Sequence, residues 1–135
     1  MLPQWNKLNI DERVQFVFVD APEIETKGKW VHTGLGVESQ LMCNVHAYPH
    51  AKVTWMKDEK EVMPKRGSIE IKGNKTRHIL EILHTEREHL GNYTCIAQNI
   101  LGRAEKTISL TGMSFFFFFS IRRKNLKNKI KHVRE

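Results

Sequence analysis

Two cysteines and a nearby histidine are the residues of this chain whose types could do chemistry. Cys95 lies in the stretch HLGNYTCIAQNILG, residues 89–102, with His89 six positions before it; Cys43 is the other cysteine among the 135 residues. A cysteine in this setting can be a catalytic nucleophile, a metal ligand or half of a disulfide bond. These roles correspond to an enzyme, a metalloprotein and a binding module.

The seven histidines lack the spacing of a metal site. His46 and His50 are four positions apart, but they fall at the end of a predicted strand and in a loop rather than on a helix. Neither Cys-x-x-Cys nor His-Glu-x-x-His accompanies them. We therefore expect surface histidines, with no metal and no other cofactor.

The net charge of +7 is concentrated at the carboxyl end. Residues 113–135 carry seven basic side chains and one acidic one, residues 21–112 carry thirteen and eleven, and residues 1–20 carry two and three. A nearly neutral folded part argues against nucleic acid as a partner, and the basic block indicates a solvated or surface-seeking tail. The length suits one domain with one core.

Short runs of alternating apolar and polar residues predict β-strands in the middle of the chain. They are ESQLMCNVHA, KVTWMK, SIEIK, HILEI, YTCIA and TISLT. Turn-forming residues separate them, and no long helical stripe occurs, so we expect an all-β sandwich or barrel. The stretch NILG, residues 99–102, predicts a hairpin turn in which Gly102 takes a positive φ angle.

The predicted strands place Cys43 and Cys95 inward, with Trp55 twelve residues after the first cysteine and Tyr93 two residues before the second. In this order and spacing the chain resembles an immunoglobulin domain of the I-set over residues 21–112. The stretches APEIE, AYP, WMKD and AQNILGRAE are similar to the third domain of the lachesin and amalgam group, relatives of the vertebrate IgLON adhesion proteins.

The resemblance implies a two-sheet immunoglobulin sandwich with a Cys43–Cys95 disulfide and a core that includes Trp55, Leu80 and Tyr93. A cysteine held in a disulfide has no thiolate, and no base or orienting group assembles around Cys95. We therefore expect no catalytic residues.

The resemblance also implies a function. We expect an extracellular module of a neural or epithelial cell-surface adhesion protein, acting as a spacer or binding other immunoglobulin-family proteins, homophilically or heterophilically. Membrane association would come from an anchor or neighbouring regions that this chain lacks. Two alternatives stay open: an intracellular structural domain of the muscle type, and a secreted immune-recognition protein.

One position departs from the family pattern Asp-x-Gly-x-Tyr-x-Cys, because His89 stands where the aspartate is usual. The family's ion pair between this aspartate and an arginine is therefore not expected. Lys65 and Arg66 are the candidates for the residue that has lost its partner. We interpret His89 as a solvent-facing substitution.

Two sequons offer candidate glycan acceptors. Asn74-Lys75-Thr76 falls in a predicted turn, and Asn92-Tyr93-Thr94 begins a predicted strand. Asn74 is the better candidate because the tip of a loop leaves room for a glycan.

The two ends of the chain are expected to lie outside the sandwich. Residues 1–20 lack the features of a secretory signal, and VQFVFV at 14–19 predicts the closing strand of a preceding domain, so we interpret this segment as a remnant. Residues 113–135 hold five consecutive phenylalanines and then the basic block. Their apolar run is about half the roughly 20 residues that span a bilayer. The tail is interpreted as translated A/T-rich noncoding DNA or, alternatively, a membrane-surface segment.

Overall fold

Strands and tight turns account for almost all of residues 18–112, which are the residues that the computed structural model describes. The strands are β1 Asp20–Glu25, β2 Trp30–Thr33, β3 Ser39–Tyr48, β4 Lys52–Lys57, β5 Lys60–Glu61, β6 Ile69–Gly73, β7 Arg77–Ile82, β8 Gly91–Asn99 and β9 Gly102–Gly112. One turn of 3₁₀ helix, Arg87–His89, precedes β8. The predicted all-β class is confirmed.

The strands form two sheets. The four-stranded sheet has the order β1-β3-β7-β6 and is antiparallel throughout. The five-stranded sheet has the order β2-β9-β8-β4-β5, in which only the β2–β9 pair is parallel. Both β1 and β2 contact β9, although they belong to different sheets, so the amino-terminal strands flank one side of the sandwich.

The core lies between the sheets and follows the predicted alternation. Successive side chains of a strand point to opposite faces, so buried and outward-facing residues alternate along most of β3 and β8. In β7 the inward-facing Leu80 and Ile82 are buried, and Glu81 between them is buried on the outer face. The buried apolar residues are Ile24, Leu41, Cys43, Val45, Trp55, Leu80, Ile82, Tyr93, Cys95, Ala97, Ile108 and Leu110. Ile71 has the phase of the buried Leu80 with which it pairs, yet it is exposed because β6 is an edge strand.

Three edge strands were not predicted from the sequence: β1, β2 and β5. The stretch between β1 and β2 carries the chain from one sheet to the other, and β2 has only four residues. In β2, Val31 packs on the core while Trp30 is exposed. The two-residue β5 follows the predicted polar turn, where Asp58 and Glu59 adopt φ angles of 50° and 63°. Positive φ at both central residues suits a two-residue hairpin between right-twisted strands.

The prediction for Gly102 was wrong, because this glycine does not adopt a positive φ angle. Asn99 closes the turn instead: its Oδ1 accepts hydrogen bonds from the backbone N–H of Leu101 at 2.9 Å and of Gly102 at 3.2 Å. A Cβ at Gly102 would lie 3.3 Å from the Cβ of Ala21. Close approach to β1, rather than backbone conformation, therefore favours glycine there.

The boundaries of the folded unit stay a prediction. Phe18 and Val19, the described residues of the strand predicted at 14–19, do not belong to a strand, and β1 begins at Asp20. The rest of the predicted remnant and the tail 113–135 lie outside the described residues. The last strand ends at Gly112.

Shortening the chain to residues 18–112 should leave a cooperatively unfolding domain that is more soluble than the full chain. The core residues all precede Gly112, and a run of five phenylalanines promotes aggregation when it is exposed. Thermal unfolding and light scattering of both chains check this. A shortened chain that is unfolded would show that the sandwich needs residues 1–17 or the tail.

Candidate functional site

A disulfide joins the two sheets at the centre of the core. Cys43 on β3 and Cys95 on β8 are both fully buried, with a Cα–Cα distance of 6.7 Å and a sequence separation of 52. Trp55 on β4 pairs in register with Cys95 and is only 1% exposed. The predicted disulfide is confirmed, and Trp55, Leu80 and Tyr93 all lie in the core. The described residues contain no free cysteine, so neither sulfur is available as a nucleophile or ligand.

Tyr93 closes the corner that leads into β8. Its hydroxyl donates a 2.6 Å hydrogen bond to the backbone oxygen of His89, four residues upstream. Burial, and then the negative charge of Asp58, raises the pKa of Tyr93 to about 12. His89 is half-buried, and its Nδ1 accepts a 2.9 Å hydrogen bond from the backbone N–H of Glu86. His89 thus caps the 3₁₀ turn, a role that was not predicted from the sequence.

Replacing Tyr93 with phenylalanine should lower the free energy of unfolding by about 1 kcal/mol, since the variant loses one hydrogen bond and keeps the ring. The pH dependence gives a second readout. Tyrosine in the unfolded chain ionises near pH 10, whereas the folded-state pKa is about 12, so the unfolded state releases its proton first. Wild-type stability should therefore fall between pH 10 and 12 more steeply than that of Tyr93→Phe. Urea titrations across this range measure the difference; parallel curves would contradict it.

The outer face of the four-stranded sheet carries a cluster of charged and polar side chains, called here the glutamate cluster: Glu38, Gln40, Glu70, Lys72 and Glu81. Lys72 Nζ lies 2.6 Å from Glu81 Oε2 and 3.0 Å from Glu70 Oε2. Gln40 Nε2 donates to Glu38 and to Glu81, each at 3.1 Å. These contacts cover Glu81, which is only 6% exposed although it points away from the core.

Opposite pKa shifts occur within the glutamate cluster. Hydrogen bonds from Lys72, and then with Glu38 and Gln40, lower the pKa of Glu81 to about 2. Hydrogen bonding with Glu81, together with its negative charge, raises the pKa of Glu38 above the usual value. The Lys72 pKa is raised by its two glutamate partners.

The glutamate cluster should make stability depend on acid pH. Because the folded-state pKa of Glu81 lies below the ordinary value of 4.5, its contribution is present above about pH 4.5 and is lost as the pH falls toward 2. Glu38 contributes in the opposite sense, as its pKa is raised. We expect the stability gap between wild type and Glu81→Gln to be widest near neutral pH and to narrow below pH 4.5. The exposed Glu23→Gln is the matched control, and a gap independent of pH would contradict the expectation.

The outer face of the five-stranded sheet is different, because it carries a group of neighbouring uncharged side chains. We call it the uncharged face: Thr54, Met56, Thr94, Ile96 and Thr107. These residues alternate with the buried ones and are neighbours across β4, β8 and β9. Thr94 and Thr107 share a hydrogen bond between their hydroxyls at 3.1 Å. Glu105 on β9 lies opposite Ile96, beside this face, and forms an ion pair with Arg103 at 3.2 Å.

The histidines singled out by spacing lie on the surface. His46 Nε2 is 3.5 Å from Glu25 Oε2, and the ring of His50 packs edge-on against Tyr48 with centroids 6.0 Å apart. Within residues 18–112, no three His, Cys, Asp or Glu side chains are grouped so that they could hold a metal ion. The same residues include no helix long and apolar enough to cross a membrane.

The two sequons lie in different settings. Asn74 is exposed in the turn between β6 and β7, where its Oδ1 accepts hydrogen bonds from the backbone N–H of Thr76 and of Arg77. Asn92 is exposed within β8, next to the uncharged face, and its Oδ1 accepts a hydrogen bond from Ser109 Oγ.

Two sheets bridged by a buried disulfide, a tryptophan beside it and a tyrosine corner define a domain of the immunoglobulin type. The sequence profile of the immunoglobulin I-set domain matches residues 22–111, and the chain belongs to that family. This family is generally non-enzymatic.

Curated relatives include proteins of the IgLON group. The limbic system-associated membrane protein of Gallus gallus is 31% identical over 94 residues, which are 70% of this chain and 28% of that protein. IgLON family member 5 of Mus musculus is 33% identical over 103 residues, 74% of this chain and 30% of that protein. The chain thus spans less than a third of the length of these relatives.

Solved structures with the same fold include immunoglobulin domains of titin. The titin tandem A164–A165 is 31% identical, with a TM-score of 0.65, covering 73% of this chain and 50% of that one. The similarity therefore extends to a second class of immunoglobulin protein.

Proposed function

We propose that this chain is an extracellular immunoglobulin module of a neural or epithelial cell-surface adhesion protein, where it acts as a spacer or as a protein-binding domain. The observation that carries the proposal is the buried Cys43–Cys95 disulfide. Such bonds persist in oxidising compartments and are rare in the cytosol. The IgLON relatives support adhesion as the role.

The second candidate is an intracellular structural domain, which the similarity to titin favours. The redox state of the native protein separates the two candidates. Alkylation without reductant, followed by mass spectrometry of protein from its native source, should label neither Cys43 nor Cys95. Two labelled cysteines would support the intracellular role. A secreted immune-recognition protein would keep the disulfide but would be found in the medium instead of on cells.

The uncharged face is the surface that best fits a protein partner, here an immunoglobulin-family protein of the cell surface. The centres of protein interfaces are depleted of charged residues. The other sheet covers its outer face with the glutamate cluster, which would lose water on docking and is already internally paired. We expect contact through β4, β8 and β9.

Cells that display the full-length protein should aggregate with cells bearing the same or a related protein. Ile96→Lys places a charge on the uncharged face and should abolish that aggregation if this domain makes the contact. His46→Lys places a similar charge on the exposed outer face of the four-stranded sheet and should leave aggregation unchanged. Aggregation that survives Ile96→Lys would assign this domain the spacer role, and no aggregation with wild type would reject the adhesive function.

A further inference from the structure

The turn between β6 and β7 combines a sequon with a groove beside it. The turn is anchored at both ends: Asn74 N donates to Arg77 O at 3.0 Å, and Val45 N on β3 donates to Thr76 O at 2.7 Å. The Asn74 carboxamide oxygen is occupied by the N–H groups of Thr76 and Arg77, at 2.9 and 2.8 Å. This leaves the Asn74 nitrogen, Nδ2, directed away from the turn's own hydrogen bonds.

A shallow groove of about 420 Å³ lies next to Asn74 on the outer face of the four-stranded sheet. It is lined by Gln40, Lys72, Gly73, Asn74, Arg77 and Ile79. Ile79 offers a half-buried apolar patch, and Lys72 and Arg77 have more hydrogen-bond donors than their contacts with Glu70, Glu81 and Met42 use. An amino sugar has one apolar face and a ring of hydroxyl and acetamido acceptors, so its chemistry matches this lining.

We propose that Asn74 carries an N-linked glycan whose first N-acetylglucosamine lies in this groove, and that Asn92 stays unmodified. The proposal rests on the extracellular function proposed above and adds a modification site to it. In this reaction Nδ2 attacks the anomeric carbon of a lipid diphosphate oligosaccharide, and a new C–N bond replaces the C–O bond to diphosphate. The lipid diphosphate leaves with the electron pair, and the amide proton passes to a base. Thr76 completes the acceptor sequence.

The same arrangement explains why one sequon is suited to a glycan and the other is not. A glycan on Asn74 would cover the outer face of the four-stranded sheet, which already bears the glutamate cluster. A glycan on Asn92 would stand beside Thr94 and Thr107, on the surface proposed for contact with a partner. Modification at Asn74 alone therefore leaves the uncharged face free.

The full chain, secreted from insect cells behind a cleavable leader and with its glycans held in the high-mannose form, tests the site. We expect one glycan, removed by peptide N-glycosidase F with conversion of Asn74 to aspartate. Asn74→Asp keeps an oxygen for the turn's two hydrogen bonds and should lose the glycan, Thr76→Ser should keep it, and Asn92→Gln should change nothing. An unmodified Asn74 in secreted chain that has its disulfide, or a glycan on Asn92, would overturn the proposal.

A second experiment tests whether the first sugar lies in the groove. Trimming with endoglycosidase H leaves a single N-acetylglucosamine, which should preserve the melting temperature of the glycosylated chain, whereas complete removal should lower it. Ile79→Thr should shrink that difference, and Ile96→Thr on the other sheet should not. If trimming lowered the melting temperature as much as complete removal does, the first N-acetylglucosamine would not lie in the groove. The added leader sends the chain through the secretory pathway whatever its native compartment is. An unmodified Asn74 would therefore reject the glycan proposal alone, whereas free thiols in the native protein would reject the extracellular function.

Discussion

Removing the Cys43–Cys95 cross-link is expected to lower the free energy of unfolding by about 4 kcal/mol. In the chain-entropy model, a disulfide that closes a loop of this length stabilises the fold by restricting the unfolded chain. Because the total stability of a domain is about 5–15 kcal/mol, this is a large part of it. Urea unfolding of the oxidised and reduced chains measures the difference.

Two comparisons separate the cross-link from the packing of the sulfur atoms. The reduced chain keeps both sulfur atoms, so the decrease in its free energy of unfolding measures the contribution of the cross-link. The Cys43→Ala/Cys95→Ala variant also removes buried atoms and should be less stable than the reduced chain. Reductant should act slowly on the native protein because both cysteines are fully buried. Equal stability of the oxidised and reduced chains would rule out a structural role for the bond.

Residues in the middle of long strands could be predicted from the sequence. In β3 and β8 the alternation is sustained, and it correctly placed Cys43, Tyr93 and Cys95 inside. In β7 it correctly placed Leu80 inside but not the buried Glu81. Here the period of two is a direct consequence of strand geometry, so few competing conformations fit the same pattern.

The features that could not be predicted from the sequence depend on contacts between segments that are distant along the chain. The four residues of β2 are too few to show a period, and their place is fixed by parallel pairing with the last strand. Glu81 reads as an exposed position, yet Gln40 and Lys72 from neighbouring strands cover it. The role of His89 arises from a hydrogen bond to Glu86 that the family pattern, with aspartate at that position, does not suggest. The uncharged face likewise exists only once β4, β8 and β9 lie side by side.

Trp55 should be the side chain whose truncation is most damaging. It is the largest fully buried side chain in the described part of the chain, and it lies in register with Cys95. Trp55→Ala should lower the free energy of unfolding by about 3–5 kcal/mol, because it loses the transfer free energy of the indole and leaves a cavity. Trp30→Ala is the matched control: Trp30 is 62% exposed, and the change should stay within about 0.5 kcal/mol.

The indole N–H makes Trp55→Phe a sharper test of the same core. Trp55 Nε1 is buried and has no hydrogen-bond partner among residues 18–112, and an unpaired buried donor costs about 1–3 kcal/mol. Phenylalanine removes this donor and keeps an aromatic ring beside the disulfide. The gain from removing the unpaired donor therefore partly offsets the loss of buried apolar surface. We expect Trp55→Phe to lose less than half of what Trp55→Ala loses in urea unfolding followed by circular dichroism. If the two variants were equally destabilised, the indole would have to be held by its N–H, and the buried donor would need an acceptor such as an ordered water.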